Sequence, residues 1–406
     1  MRIQTGHGKC VGFLPYFRTF YLACTLQVIN AWAKVGNKDA ALQAEYLLQH
    51  MLRQQQDLDE QIVRPDTVVF NAVMNAWACS GDPTAGTKAL NLLRQMKEVA
   101  SNEGYDTRPD IVTYNTVLSA WSHCGHPSAA PQTEKIVQEM QNAAAESDDA
   151  PAPNTVSYNT VLHAWSKSEL PGAAQRAQKV LEYMINSGKE EISPDVISFT
   201  TVLDAWAKSK EPNKGKNAQK LLDKLLNLYD STKRQDLRPT QIPYNTVLNA
   251  CAFSSMGTSM EEQREALQVA VSTFTSMRKS KISPDVVTYG NLLKCCANLM
   301  PPGQVRNDMA IQIFEKCCED GLVGNLSWNQ VRRAVPWSVL EDKLNLKGNS
   351  NNMRLEELPR KWRRRSQSDR YPPKSQKISE EKAHGDEARA GFRSITEPLY
   401  QSGRDD

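Results

Sequence analysis

Thr113-Tyr114-Asn115-Thr116-Val117-Leu118-Ser119-Ala120-Trp121 is a stretch this chain repeats from end to end. Earlier it reads Val69-Phe-Asn-Ala-Val-Met-Asn-Ala-Trp77, and later Ser157-Tyr-Asn-Thr-Val-Leu-His-Ala-Trp165. Further copies are Ser198-Phe-Thr-Thr-Val-Leu-Asp-Ala-Trp206, Pro243-Tyr-Asn-Thr-Val-Leu-Asn-Ala-Cys251 and Thr288-Tyr-Gly-Asn-Leu-Leu-Lys-Cys-Cys296. A worn copy ends in Val28-Ile-Asn-Ala-Trp32. The copies close at residues 32, 77, 121, 165, 206, 251 and 296, so each step is 41 to 45 residues. Self-similarity at a near-constant period of this size marks a repeat array, in which each unit buries its apolar face against the next.

The punctuation between copies is equally regular. Pro65-Asp66, Pro109-Asp110, Pro153-Asn154, Pro194-Asp195, Pro239-Thr240 and Pro284-Asp285 each precede an aromatic segment. Proline resists continuation of the previous helix, and Asp, Asn or Thr after it caps the next. A helix of about a dozen residues should follow, broken near Gly81-Asp82-Pro83, Gly125-His126-Pro127 or Leu170-Pro171-Gly172. A second helix then carries apolar residues such as Ala89, Leu92, Leu93 and Met96 at helical spacing. Each unit thus reads as a helix-turn-helix pair.

The phase of the first helix separates two stripes. Tyr114, Val117, Leu118 and Trp121 fall at i, i+3, i+4 and i+7, a spacing that predicts a packed face. Beside it, Val112, Asn115, Ser119 and His123 form a second, mostly polar stripe, matched by Val156, Asn159, His163 and Lys167 and by Ile197, Thr200, Asp204 and Lys208. Asn stands directly after the aromatic at 71, 115, 159 and 245, although it is a mediocre helix former. Its short arm carries a donor and an acceptor, the equipment for reading a base edge. The alternative is an amide bonded to a neighbouring group in the service of helix stacking.

These units resemble pentatricopeptide repeats. The likeness rests on Pro-Asp-x-Val-x-Tyr-Asn-Thr-Val-Leu-x-Ala, followed by a second helix with a late Met (Met96, Met140, Met184, Met277), and extends over residues 22–325. The repeats are longer than the roughly 34 residues of the related tetratricopeptide unit, the excess lying in the second helix and the loop after it. The resemblance implies an all-α, right-handed α-solenoid that binds single-stranded RNA, one base per repeat. It also implies which residues choose each base: the one after the aromatic, together with the last of the repeat. Carried over, Asn71 works with Asp110, Asn159 with Asp195 and Asn245 with Asp285, each favouring U. Asn115 with Asn154 favours a pyrimidine, Thr200 with Thr240 and Gly290 with Asn325 lie outside the well-behaved combinations, and Leu26 with Asp66 is mute. Val68, Val112, Val156, Ile197 and Ile242 would sandwich the bases, so the expected target is U-Y-U-N-U read 5′ to 3′ along the chain. Lys34, His123, Lys167 and Lys208 lie one step further along the stripe, where phosphates would pass; a lysine serving a helix C-terminus is the other reading.

The remaining features bound the function. The 49 Lys and Arg against 46 Asp and Glu leave +3, so net charge alone does not argue for nucleic acid. The nine Cys lack any Cys-x-x-Cys pair and read as reduced, packed thiols. No apolar run approaches the length of a bilayer span, so no membrane partner is expected. The first 38 residues contain no Asp or Glu but five Lys and Arg, a composition that suits an organellar leader over residues 1–21, mitochondrial in preference to plastid. Trp328, Val331, Val335, Trp337, Val339 and Leu340 predict capping helices over 326–345. Residues 346–406 read as a disordered, basic tail. Within it, Leu358-Pro359-Arg360-Lys361-Trp362-Arg363-Arg364-Arg365, whose Leu-Pro-x-x-Trp resembles the ending of some algal family members, would either bind RNA or dock on the repeats. Of the six His, none stands in the His-x-Glu and Pro-Cys-x-x-Cys setting of a deaminase. His123-Cys124-Gly125-His126 lacks a partner pair for a metal. No enzyme activity, metal or cofactor is expected. Beside RNA, an organellar ribosome, RNA-processing proteins, or other partners of a helical scaffold remain open.

Overall fold

The computed structural model describes residues 14–58, 64–101, 107–254, 259–344, 346 and 353–363. They fall into two compact units, the described residues up to Leu170 with Lys189–Ile192, and Pro171–Gly188 with the described residues from Ser193 on. The first holds α1 (Leu14–Val35), α2 (Lys38–Leu58), α3 (Thr67–Cys79), α4 (Ala85–Ala100), α5 (Ile111–His123), α6 (Ala129–Glu146) and α7 (Thr155–Lys167). The second holds α8 (Ala173–Asn186), α9 (Val196–Lys208), α10 (Lys214–Thr232), α11 (Gln241–Ala252), α12 (Met260–Lys279), α13 (Val286–Leu299), α14 (Gln304–Glu319), α15 (Asn325–Ala334) and α16 (Trp337–Leu344). Among the described residues there is no strand, and no helix is long and apolar enough to cross a membrane.

Each unit is a stack of helical hairpins. Odd-numbered helices pack side by side, α1 on α3 on α5 on α7, and separately α9 on α11 on α13 on α15. Each even-numbered helix packs against the odd helix that follows it, as α4 does on α5 and α12 on α13. The expected apolar stripe is the core: Tyr114, Val117, Leu118 and Trp121 are all buried, as are the late Met96, Met140, Met184 and Met277. At the turns inside the hairpins Gly81, Gly125 and Gly172 have φ of 65°, 67° and 76°, a region where a side chain is strained. The longer loops also bury apolar residues, since short 3-10 turns set Ile192 and Leu237 into the core of their respective units.

In three copies the closing tryptophan latches its helix to the second helix of the preceding hairpin. Trp77 Nε1 donates to Glu45 at 3.0 Å, Trp165 to Glu134 at 3.1 Å and Trp206 to Gln178 at 3.0 Å. Trp121 departs from this, its buried Nε1 finding no partner. Its ring lies instead on Gly86 of α4, so close that a Cβ there would fall 2.3 Å from ring carbon Cδ2.

The C-terminal end differs from its sequence reading. The helices α15 and α16 pack on α13 and α14, and part of the tail expected to be disordered is built into the core. Met353, Leu355, Leu358 and Arg363 are buried with α13, α14 and α15, and Trp362 meets Phe314 edge-on at 6.2 Å. Val323 N–H donates to Trp362 O at 2.9 Å, and Trp328 Nε1 donates to Met353 O at 3.1 Å. The physical reason is that four apolar side chains within ten residues outweigh the basic composition around them. Docking is therefore the outcome for Leu358–Arg363, while residues 364–406 lie outside the described set. At the other end α1 runs from Leu14 across the expected leader boundary at 21, and residues 1–13 lie outside the described set.

A Gly86→Ala substitution weighs helix propensity, worth about 1 kcal/mol in favour, against overpacking on a rigid ring, which costs roughly 1–3 kcal/mol. With three ring carbons of Trp121 within 2.7 Å of the new methyl, the clash wins. The expected outcome is a lower urea midpoint than that of the parent chain; an unchanged or raised midpoint contradicts the packing described.

Candidate nucleic-acid interface

The residues expected to choose bases are organised by the start of each odd-numbered helix. Asp66, Asp110, Asn154, Asp195, Thr240 and Asp285 are the N-caps of α3, α5, α7, α9, α11 and α13, each accepting a backbone N–H. In α5, α7, α9 and α13 the third helical residue, Thr113, Ser157, Ser198 or Thr288, in turn accepts the backbone N–H of the cap residue on its hydroxyl oxygen, which completes a capping box.

Three of these cap side chains, those of Asp110, Asn154 and Asp285, also reach back to the preceding repeat. Asn71 Nδ2 donates to Asp110 Oδ1 at 3.3 Å, Asn115 Nδ2 to Asn154 Oδ1 at 3.5 Å, and Asn245 Nδ2 to Asp285 at 3.1 Å and 3.2 Å. These partners, paired in sequence only by resemblance, are thus neighbours in space. The other side of two amides is held as well. Ser157 Oγ donates to Asn115 Oδ1, and Thr288 Oγ1 to Asn245 Oδ1, both at 2.7 Å. This fixes the amide orientation, with Oδ1 toward the hydroxyl and Nδ2 toward the cap.

Two consequences revise the sequence reading. Asn115 and Asn245 are buried, with 6% and 9% of their surface exposed. They serve the stacking of helices, the alternative that sequence left open. What reaches the surface is the cap partner: Asp110 is exposed and Asp285 and Asn154 are half-buried. With its Oδ1 accepting from Ser157 N–H and from Asn115, Asn154 turns its amide donors outward, whereas Asp110 presents a carboxylate oxygen. In its own unit each of the remaining residues has a defined place: Asn159 is half-buried on α7, and Asp195 caps α9. Thr200 returns its hydroxyl to Val196 O at 2.7 Å, and Thr240 accepts from Ile242 N–H at 3.3 Å. No described bond joins these two threonines.

The expected sandwiching residues flank these pairs. Val68, Ile197 and Ile242 are 41%, 50% and 59% exposed, and Val112 and Val156 are half-buried. Val287 holds the same place in α13 and is 46% exposed; its position two residues after a cap, as for Val68 and Ile242, is the signal that would have found it. The position of Gly290 is filled from α15, since a Cβ there would meet Leu326 Cδ2 at 2.4 Å. Its sequence partner also shifts by one: the cap of α15 is Gly324, not Asn325.

The cationic stripe is uneven. Lys34 and Lys167 are exposed at the ends of α1 and α7. Lys208 is tied to Asp204 one turn away, which offsets its charge toward a phosphate. His123 Nδ1 lies 2.9 Å from Ser119 O, so that nitrogen carries the proton and the neutral ring offers an acceptor at Nε2. Desolvation first, and then the charge of Lys167, hold its pKa below the ordinary 6.5, against the opposing bond to Ser119. At neutral pH His123 is therefore not a phosphate cation, which corrects the sequence expectation. Its ring packs at 5.1 Å from His163.

The buried thiols of Cys251, Cys296 and Cys317 are pushed by burial up to about 12, and no disulfide joins the described cysteines. No cluster of three or more metal-ligating side chains occurs among the described residues.

Fold and site together define a tandem helical-hairpin repeat protein in which each unit starts from a shared cap. Residues 260–299, which span α12, the cap Asp285 and α13, match the family model of the pentatricopeptide repeat domain. Residues 260–299 therefore carry a pentatricopeptide repeat domain, and the same helical hairpin recurs at the same spacing before it. No curated protein sequence matches it. Among solved structures it is similar to the pentatricopeptide repeat protein PPR10 in complex with an 18-nt psaJ RNA element, at 18% identity over 83% of this chain and 49% of that one, with a TM-score of 0.39. It is similar also to PPR10 from maize, at 15% identity over 95% and 59%, with a TM-score of 0.36. The chain spans about half the length of these structures.

The depressed pKa of His123 has a linked effect on stability. Unfolding lets the imidazole bind its proton at the ordinary 6.5, so the unfolded state takes up more protons below that value. Stability attributable to this group is whole above the unfolded pKa and falls as pH drops toward the folded one. Nuclear magnetic resonance titration should place His123 below 6.5, and His123→Gln should flatten the loss of stability on acidification. A His123 midpoint above 6.5 contradicts the site described.

Proposed function

We propose that this chain binds single-stranded RNA and selects bases through the cap residue of each odd-numbered helix, oriented by the Asn of the repeat before it. The observation that carries the reading is the bonded pair of Asn and cap, beside an exposed Val or Ile that has no part in the core. An exposed carboxylate oxygen accepts the N3–H of uracil, which cytosine lacks, while the outward amide of Asn154 offers donors to the O2 and N3 of cytosine or the carbonyls of uracil. Asp110 and Asp285 accordingly favour U, and Asn154 a pyrimidine. With Asn159 and Asp195 included, the order along the chain is U-Y-U-N-U. The apolar side chains at 68, 112, 156, 197 and 242 supply stacking surface. Exposed Lys34 and Lys167 supply phosphate contacts, and Lys208 does so more weakly because Asp204 competes. The acid-poor, basic first 38 residues support action in an organelle, the mitochondrion before the plastid, on message stability, processing or translation.

Asp285→Asn separates recognition from folding, because Asn caps a helix about as well as Asp. Thermal stability should hold while the preference for U over C at that base falls from about tenfold, one hydrogen bond's worth, to near parity. A preference unmoved by the change removes Asp285 from base choice. Lys167→Ala should shallow the salt dependence of binding by about 0.7 log units per log salt, the single-strand value per phosphate, and Lys208→Ala by less. Equal binding of poly-U, poly-A and poly-C would instead leave the amide pairs as stacking devices in a scaffold for proteins.

A further inference from the structure

The helix α15 repeats the layout of the odd-numbered helices before it. Counting from the cap, the aromatic stands four residues on and the base-choosing position five: Asp285, Tyr289 and Gly290 in α13, and Gly324, Trp328 and Asn329 in α15. Asn329 therefore occupies the place of Asn245, and it is exposed. Among the described residues no further helical hairpin supplies the cap partner. The segment 353–363 takes that place: Arg354 is the N-cap of the 3-10 turn Leu355–Glu357. Asn325, Asn329, Arg332, Arg354 and Glu356 line an open cavity of about 500 Å³ over Trp328.

This cavity is built. Met353 O accepts from Trp328 Nε1 at 3.1 Å and from Arg332 at 3.4 Å, and the Arg332 guanidinium lies 5.6 Å from the Trp328 ring centre. Arg363 is buried and donates to Glu356 O at 2.8 Å and Leu358 O at 3.0 Å, which staples the turn that carries Glu356. Arg354 and Glu356 themselves are exposed.

The geometry points to a guanine-selective nucleotide site at this end of the array, completed by the returning segment instead of by a repeat. The chemistry of the wall chooses the base. Guanine alone presents two adjacent donors, N1–H and N2–H, beside the acceptor O6. The Glu356 carboxylate takes both donors, and Arg354 or the Asn329 amide gives to O6; arginine is the usual partner of the guanine O6 and N7 edge. Uracil and cytosine have no paired donors, and adenine has no O6. The assignment rests on the base-reading function proposed above and on the strand polarity that the family resemblance implies. Since Leu326 occupies the place left by Gly290, the guanine belongs two nucleotides to the 3′ side of the U assigned to Asn245 and Asp285.

The test uses the full chain and four oligoribonucleotides that differ only at that second position, with a parallel set varied at the U. G should bind about tenfold tighter than the other three, the discrimination of one bidentate pair. Glu356→Gln should abolish the G preference, and Arg354→Ala should reduce it, while both keep the preference at the U and the parental melting temperature. Flat binding at the second position with U still preferred overturns this site and leaves the repeat reading intact. A G preference that survives Glu356→Gln also overturns it. Flat binding at both positions removes the base-reading function and this site together.

Discussion

At the start of α5, α7 and α13 one side chain does two jobs. A helix begins with unsatisfied N–H groups, and Asp110, Asn154 or Asp285 satisfies one of them while accepting the amide of an Asn in the hairpin before. Capping alone is worth about 1 kcal/mol, and a bond of this kind roughly as much again. Each is small, but repeated along a stack it sets both where every helix begins and how far it slides past its neighbour. A repeat array is stabilised mainly by such nearest-neighbour terms.

That double duty explains the surface chemistry. If Asn115 and Asn245 were free to rotate, the repeats would present an ambiguous mixture of donor and acceptor. The hydroxyls of Ser157 and Thr288 remove the ambiguity by fixing Oδ1. The cap residue then alone decides what is offered outward, a carboxylate oxygen at Asp110 and an amide donor group at Asn154. The apolar neighbours Val68, Ile197, Ile242 and Val287 stay exposed, an arrangement that core packing does not require.

Ends are the weak points of any stack, because the last hairpin has an apolar face and no successor. In the second unit that face is closed by α15, α16 and the segment 353–363, whose Met353, Leu355, Leu358 and Trp362 pack on α14 and α15. The basic residues of this segment are divided by the same event. Arg363 is buried as a staple, and Arg354 is left at the surface beside Asn329.

The sequence by itself determined the helices, their caps and their core, because these are local matters. Pro-Asp sets a start, Tyr114 to Trp121 sets a buried stripe, and a period of 41 to 45 residues sets the hairpin. It also singled out Asn71, Asn115 and Asn245 with their partners, through a family resemblance and not through spacing alone. Only the tertiary structure decided that two of those amides are buried, that burial lowers the pKa of His123, and that Gly324 replaces Asn325 as a cap. Each depends on groups brought close by packing of neighbouring hairpins or turns, a fact that no single repeat contains. The fate of residues 353–363 was hidden for the same reason: composition reports charge, whereas docking is governed by four apolar side chains meeting a complementary face.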